Sequence, residues 1–179
     1  MSTTALKFKT EALRKLQLRF AWESREFAGA VGEALARESL DALGISYVDV
    51  DQSKGAIHRE LAKWGGKRPD FILDTLAEDH IVLADAKYHK TDGLTRFALT
   101  ETEVEKYRNL KAYTNMTFPE ANVDIIFFVY PQEALGSSLA VIHLSEFDDG
   151  TACAILEQPA ISISLTGRLI DPKTGAAIQ

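Results

Sequence analysis

Residues 68–90 read RPDFILDTLAEDHIVLADAKYHK, and this stretch limits the fold more than any other. Two apolar runs flank an acidic turn, so the chain is expected to double back as a β-hairpin. Yet Asp70 opens the first run, and Asp85 and Lys87 sit inside the second. The turn centres near Ala77, and reflection through it sets Asp70 beside Ala84 or Asp85. Side chains alternate along a strand, so Asp85, Lys87 and His89 share one face with Ile81 and Leu83. Val82, Ala84, Ala86 and Tyr88 take the other face. Both faces are substantially apolar, which predicts a sheet covered on both sides.

Facing like charges weaken a sheet. A buried carboxylate without a partner is costly or takes up a proton. Two facing carboxylates near a core therefore need a cation. Lys87 offers one charge, and a hard divalent metal would satisfy both carboxylates better. Asp74, equally acidic, would pair near His80 and falls outside the pair. An Asp-x-Lys alone is no more than a surface ion pair worth roughly 0–1 kcal/mol. The chain holds a second copy, Asp171-Pro172-Lys173, in a Pro/Gly segment with no strand and no facing Asp. Strand context and the facing Asp70 set the first copy apart.

The surrounding pattern is mixed α/β. Residues 5–20 have helical spacing with a basic face. A helix from about Glu23 to Leu43 stops at Gly44. ISYVDV reads as a strand, AIHRELAKW as a short helix before a Gly-Gly break, and PDFILD and HIVLADAKYH as the hairpin strands. TDGLTRFAL reads as a connection. Thr100-x-x-Glu103 is a capping box for the helix ETEVEKYRNLKAYTN. DIIFFVYP is a buried-type strand. LAVIHLSEF and TACAILEQ flank Asp-Asp-Gly as a hairpin, ISISLTGRLI is a last strand, and DPKTGAAIQ is a tail.

Pro69-Asp70, fourteen intervening residues and Asp85-Ala86-Lys87 resemble the signature of the PD-(D/E)XK nuclease superfamily, over roughly residues 25–145. The resemblance implies a restriction-endonuclease-like fold: a mixed central sheet flanked by helices, in the order helix, three-strand meander, helix, strand. Here a C-terminal antiparallel strand extension (139–170) and the N-terminal helix (5–20) would be added within one domain, 1–179. It implies a metal-dependent nuclease, with DNA ahead of RNA as substrate, using Mg²⁺ that Mn²⁺ can replace. Asp70 and Asp85 would bind the metal directly, the Ala86 carbonyl would add a ligand, and Lys87 would orient water or stabilise developing charge.

Members often add a metal-binding Glu from the helix before the meander. Glu33, with Gly29, Ala30 and Ala36 as neighbours on its helix face, is the choice over Glu38, and Glu26 comes too early. Phosphate contacts are expected from Lys63, Lys67, Arg68, His89, Lys90 and Lys106. Lys54 and Arg59 belong to the same basic cluster, and Trp64 could stack on a base. Two alternatives remain: an RNase or tRNase of toxin type, and an inactive domain that binds nucleic acid or a protein. Removing Asp85 as Ala is expected to stop cutting and leave the thermal melt intact or improved.

Charge is uneven: residues 1–68 carry 12 Lys/Arg against 9 Asp/Glu, and residues 69–179 carry 8 against 17. The net charge of −6 argues against non-specific polyanion binding. The absence of an apolar signal core near the start and a single cysteine, Cys153, point to a reducing, cytoplasmic setting. No stretch is long enough to span a membrane. The histidines show no zinc spacing, and neither a phosphate-binding Gly-rich loop nor a Gly-x-Ser-x-Gly elbow occurs. The strand-rich end, 139–170, offers an edge for a homodimer.

Overall fold

The computed structural model describes residues 14–16, 25–53, 57–75 and 77–178, with the backbone alone for 25 and 26. Residues 14–16 are helical; the rest of the expected 5–20 helix lies outside the described residues, as do Lys54 and the side chain of Glu26. Helix α1 (Arg25–Leu43) ends at Gly44, whose φ of 69° lets the Ile45 N–H return to the Leu40 carbonyl at 2.9 Å. Strand β1 (Tyr47–Asp49), a short helix α2 (Arg59–Lys63), β2 (Phe71–Leu73) and β3 (His80–His89) follow. Then come β4 (Arg96–Thr100), α3 (Glu101–Thr117) and β5 (Asn122–Pro131). The chain closes with β6 (Ala140–His143), β7 (Thr151–Ile155) and β8 (Gln158–Ser164).

The main sheet runs β1-β2-β3-β5-β6. The meander β1-β2-β3 is antiparallel, β3 and β5 are parallel from His80↔Asn122 to His89↔Pro131, and β6 is antiparallel to β5. This mixed sheet flanked by helices has the helix, meander, helix, strand order that the resemblance implies. Both faces are covered, as the two-sided apolar pattern predicts. Leu35, Ala36 and Leu40 of α1 pack on Val82, Ala84 and Tyr88. Val104, Tyr107 and Leu110 of α3 pack on Leu83, Phe127 and Val129. Thr100 caps α3, its hydroxyl accepting from the Glu103 N–H. Among the described residues no helix is long and apolar enough to cross a membrane.

Several expectations toward the C-terminal half need correction. Residues 96–100, read as connection, form β4, which pairs antiparallel with β8 from Arg96↔Ser164 to Thr100↔Ala160. Phe97 and Leu99 are buried there, but five residues abutting a helix cap are too few to show a period. Asp-Asp-Gly does not join a hairpin: β6 belongs to the main sheet, a 3₁₀ turn over Leu144–Asp148 follows, and β7 joins a separate sheet ordered β4-β8-β7. The hairpin turn lies instead at Leu156-Glu157, closed by Ile155↔Gln158. The last strand begins at Gln158 and ends at Ser164, ahead of the expected ISISLTGRLI span. The tail folds back, with Ile170 bridging both Leu139 and Ala177. The edge expected over 139–170 is thus two edges, β6 and β7, on different sheets.

Candidate functional site

The hairpin register, Phe71↔Ala84, sets Asp70 opposite Asp85. Strand β2 begins one residue later, at Phe71. The Asp70 N–H bonds the Ala84 carbonyl at 2.9 Å, and the next rung is made by a side chain: Asp70 Oδ2 accepts from the Ala86 N–H at 2.7 Å. The Ala86 carbonyl faces α1 at Gly32, where an added Cβ would stand 3.5 Å from it.

Asp85 is 1% exposed and is held by three donors. Lys87 Nζ lies 2.8 Å from Oδ2, Lys67 Nζ lies 3.1 Å from Oδ1, and the Tyr107 hydroxyl donates a short hydrogen bond to Oδ1. Tyr107 Oη accepts from Lys87 at 2.6 Å and from Lys67 at 2.7 Å, so its one proton and two lone pairs are all used. Lys87 also reaches Glu103 Oε1 at 3.0 Å. Burial alone would raise the Asp85 carboxyl, but Lys87 and Lys67 outweigh it and hold the group below the usual carboxylate range. Burial would lower the Lys87 ammonium, and Asp85, Tyr107 and Glu103 reverse this and raise it well above its ordinary value.

Asp70 is the odd charge. Two ammoniums face three carboxylates, Asp70, Asp85 and Glu103, and both lysines bond to Asp85 and lie within salt-bridge reach of Glu103. Burial, and next the Asp85 charge, push the Asp70 carboxyl up to about 7. The group is one cation short.

These residues floor an open cavity of about 690 Å³. Its walls are α1 at Gly29 and Glu33, β4 at Ala98–Thr100, and the β7–β8 turn at Leu156. Glu33 lines this cavity and is held by Arg37, 3.1 Å away, which also reaches Asp49 at 2.8 Å. Glu38 instead pairs with Arg14 in solvent at 2.5 Å.

The expected phosphate contacts divide. Lys67 and Lys90 line the cavity, and Lys67 and Lys106 line an adjoining hollow of about 490 Å³. His89 is mostly enclosed: its ring stacks edge-on against Phe97, and burial, then the Lys87 charge, pull it down to about 4. Arg68 is committed to the backbone, donating to the carbonyls of Asp51, Ser53 and Gln52 at 2.6–3.2 Å. Lys63 pairs with Glu60 at 2.7 Å on the exposed face of α2. Trp64 packs edge-on against Tyr113. The discarded Asp171 makes a local turn, accepting from the N–H groups of Lys173 and Thr174.

Sequence reasoning misses two members: Tyr107 is hidden in the apolar line of α3, and Glu103 in the capping box. Lys67, expected as a phosphate contact, is turned inward at Gly65-Gly66 and bonds Asp85 and Tyr107. Gly65 has a φ of 69°, and a Cβ on Gly66 would come within 2.3 Å of Leu61.

The donor chemistry suits a hard divalent cation: facing carboxylates, one of them lacking a counter-charge, beside a carbonyl and a further Glu. Among the described residues no three acidic, His or Cys side chains already converge on one point. Lys67 shares Asp85 Oδ1 with the Tyr107 hydroxyl, so both Asp85 oxygens already carry donors.

No family model and no curated protein matches the chain. Among solved structures it is similar to Hjc, a Holliday junction resolvase from the archaeal hyperthermophile Archaeoglobus fulgidus, at 12% identity and a TM-score of 0.44, over 77% of this chain and 89% of that chain.

Proposed function

We propose that this chain is a metal-dependent nuclease that hydrolyses phosphodiester bonds in DNA. The observation that carries the reading is the Asp70–Asp85 pair facing across β2 and β3, one anion in excess, with Lys87 on the same face of an open cavity. Asp70, Asp85, the Ala86 carbonyl and Glu33 would hold Mg²⁺ or Mn²⁺. When bound, such an ion acidifies a water and polarises the phosphate.

The chain's own residues do the rest. Lys87, its three donors given to Asp85, Glu103 and Tyr107, holds a positive charge at the cavity floor that stabilises developing phosphoryl charge through space. Tyr107 keeps that ammonium in place, and Arg37 keeps Glu33 turned along the cavity wall. Lys90 and Lys106 at the rim neutralise flanking phosphates. DNA is favoured by the sequence resemblance.

The test is digestion of plasmid DNA, a DNA junction and total tRNA with Mg²⁺ or Mn²⁺. Cutting of the DNA substrates, stopped by EDTA and lost in Asp70→Asn, is the expected result. Equal cutting by Asp70→Asn refutes the site, and cutting of tRNA alone moves the substrate to RNA.

A further inference from the structure

The turn between β7 and β8 contains only Leu156 and Glu157, with Ile155↔Gln158 as the closing pair. Both turn residues have positive φ, 47° and 67°. A two-residue turn of this kind strongly prefers Asn-Gly, because side-chain-bearing residues are strained in the left-handed region. Leu156 is also 82% exposed, so its apolar side chain gains almost nothing from burial. The turn therefore holds the wrong residues for its own stability. It also sits at the wall of the cavity that contains Asp70, Asp85 and Lys87. The following residues, Gln158 and Pro159, line the adjoining hollow with Lys67 and Lys106.

We infer that the Leu156 tip is an apolar wedge that enters the base stack of duplex DNA beside the phosphodiester to be cut. This rests on the nuclease reading. Asp85 is 1% exposed at the cavity floor, so the scissile phosphate must leave the duplex contour to approach it. A regularly stacked duplex resists that excursion. Leu is among the side chains that unstack a base step by insertion. Lys106, which lines the same hollow, holds a flanking phosphate while the tip occupies the gap.

The experiment compares two duplexes of one sequence, fully paired or carrying unpaired bases at the cut site, with 2-aminopurine next to that site. The double variant Leu156→Asn with Glu157→Gly suits the turn, so it melts higher than the wild type. It is expected to cut the fully paired duplex about 30-fold more slowly, and the opened duplex at most about 3-fold more slowly, since unstacking a step costs a few kcal/mol. On binding in Ca²⁺, the 2-aminopurine fluorescence rise of the paired duplex is lost. Leu156→Met restores both signals. Wild-type cutting with equal losses on both duplexes, or with no loss, overturns the wedge alone. Failure of the wild type to cut either duplex overturns the nuclease reading and the wedge with it.

Discussion

Replacing Asp70 with Asn removes a charge while keeping a carbonyl oxygen for the Ala86 N–H. The unfolded carboxyl ionises near 3.8 and the folded one at about 7. Between those values only the folded state keeps the proton. Stability is therefore full below the lower value and is lost as pH rises through the upper one. At 1.36 kcal/mol per pH unit the gap amounts to ~4 kcal/mol, and water on the open side of the carboxylate reduces it to about 2 kcal/mol. For a chain of 179 residues that is a Tm difference of about 4–8 °C. In metal-free buffer, Asp70→Asn is thus expected to melt higher than wild type at pH 8 and at nearly the same temperature at pH 4. Differential scanning fluorimetry across that range is the assay. Saturating Mg²⁺ at pH 8 raises the wild-type Tm and leaves the variant where it was. A gap that does not change with pH, or a variant less stable at pH 8, refutes the account of Asp70 as an uncompensated anion.

Asp85 behaves oppositely, and the structure argues against a spared melt in Asp85→Ala. Lys87, with a side chain only 6% exposed, would lose its 2.8 Å partner and keep Glu103 and Tyr107, so chemical denaturation should show a loss of about 1–3 kcal/mol. Tyr107→Phe removes the proton given to Asp85 and the oxygen shared by two ammoniums. It is expected to lower the unfolding free energy by about 1–3 kcal/mol, read as a lower urea midpoint with an unchanged slope. Lys67→Met should shift stability by less than ~1 kcal/mol, because that side chain is 38% exposed. It also removes a competing positive charge and one of the two donors on Asp85 Oδ1, so calorimetry should show tighter Mn²⁺ binding, and weaker binding would mean that Lys67 does not compete for the site.

The hairpin was legible because two local rules fix it. Alternation set which side chains share a face, and the turn centre set Asp70 beside Ala84 or Asp85, which the register resolves to Asp85. The α1 stop at Gly44 and the Thr100 cap were legible for the same reason, each being a signal within a few residues. What escaped was long-range. Tyr107 reaches Asp85 from 22 residues away and Lys67 from 18, and nothing local distinguishes them from a core tyrosine and a surface lysine. Strand β4 escaped because its partner, β8, lies some sixty residues later, so no turn between neighbours announced it. Asp-Asp-Gly misled because its turn chemistry was sound while its flanking strands belonged to different sheets.

The rung that Asp70 completes has a consequence for observation. The Ala86 amide is bonded to a carboxylate and not to a neighbouring strand. Its exchange with deuterated solvent therefore follows the charge and occupancy of Asp70, while the amides of central β3 follow the unfolding of the sheet. One backbone proton, followed by NMR as pH or metal is varied, gives a readout of this site that needs no substrate.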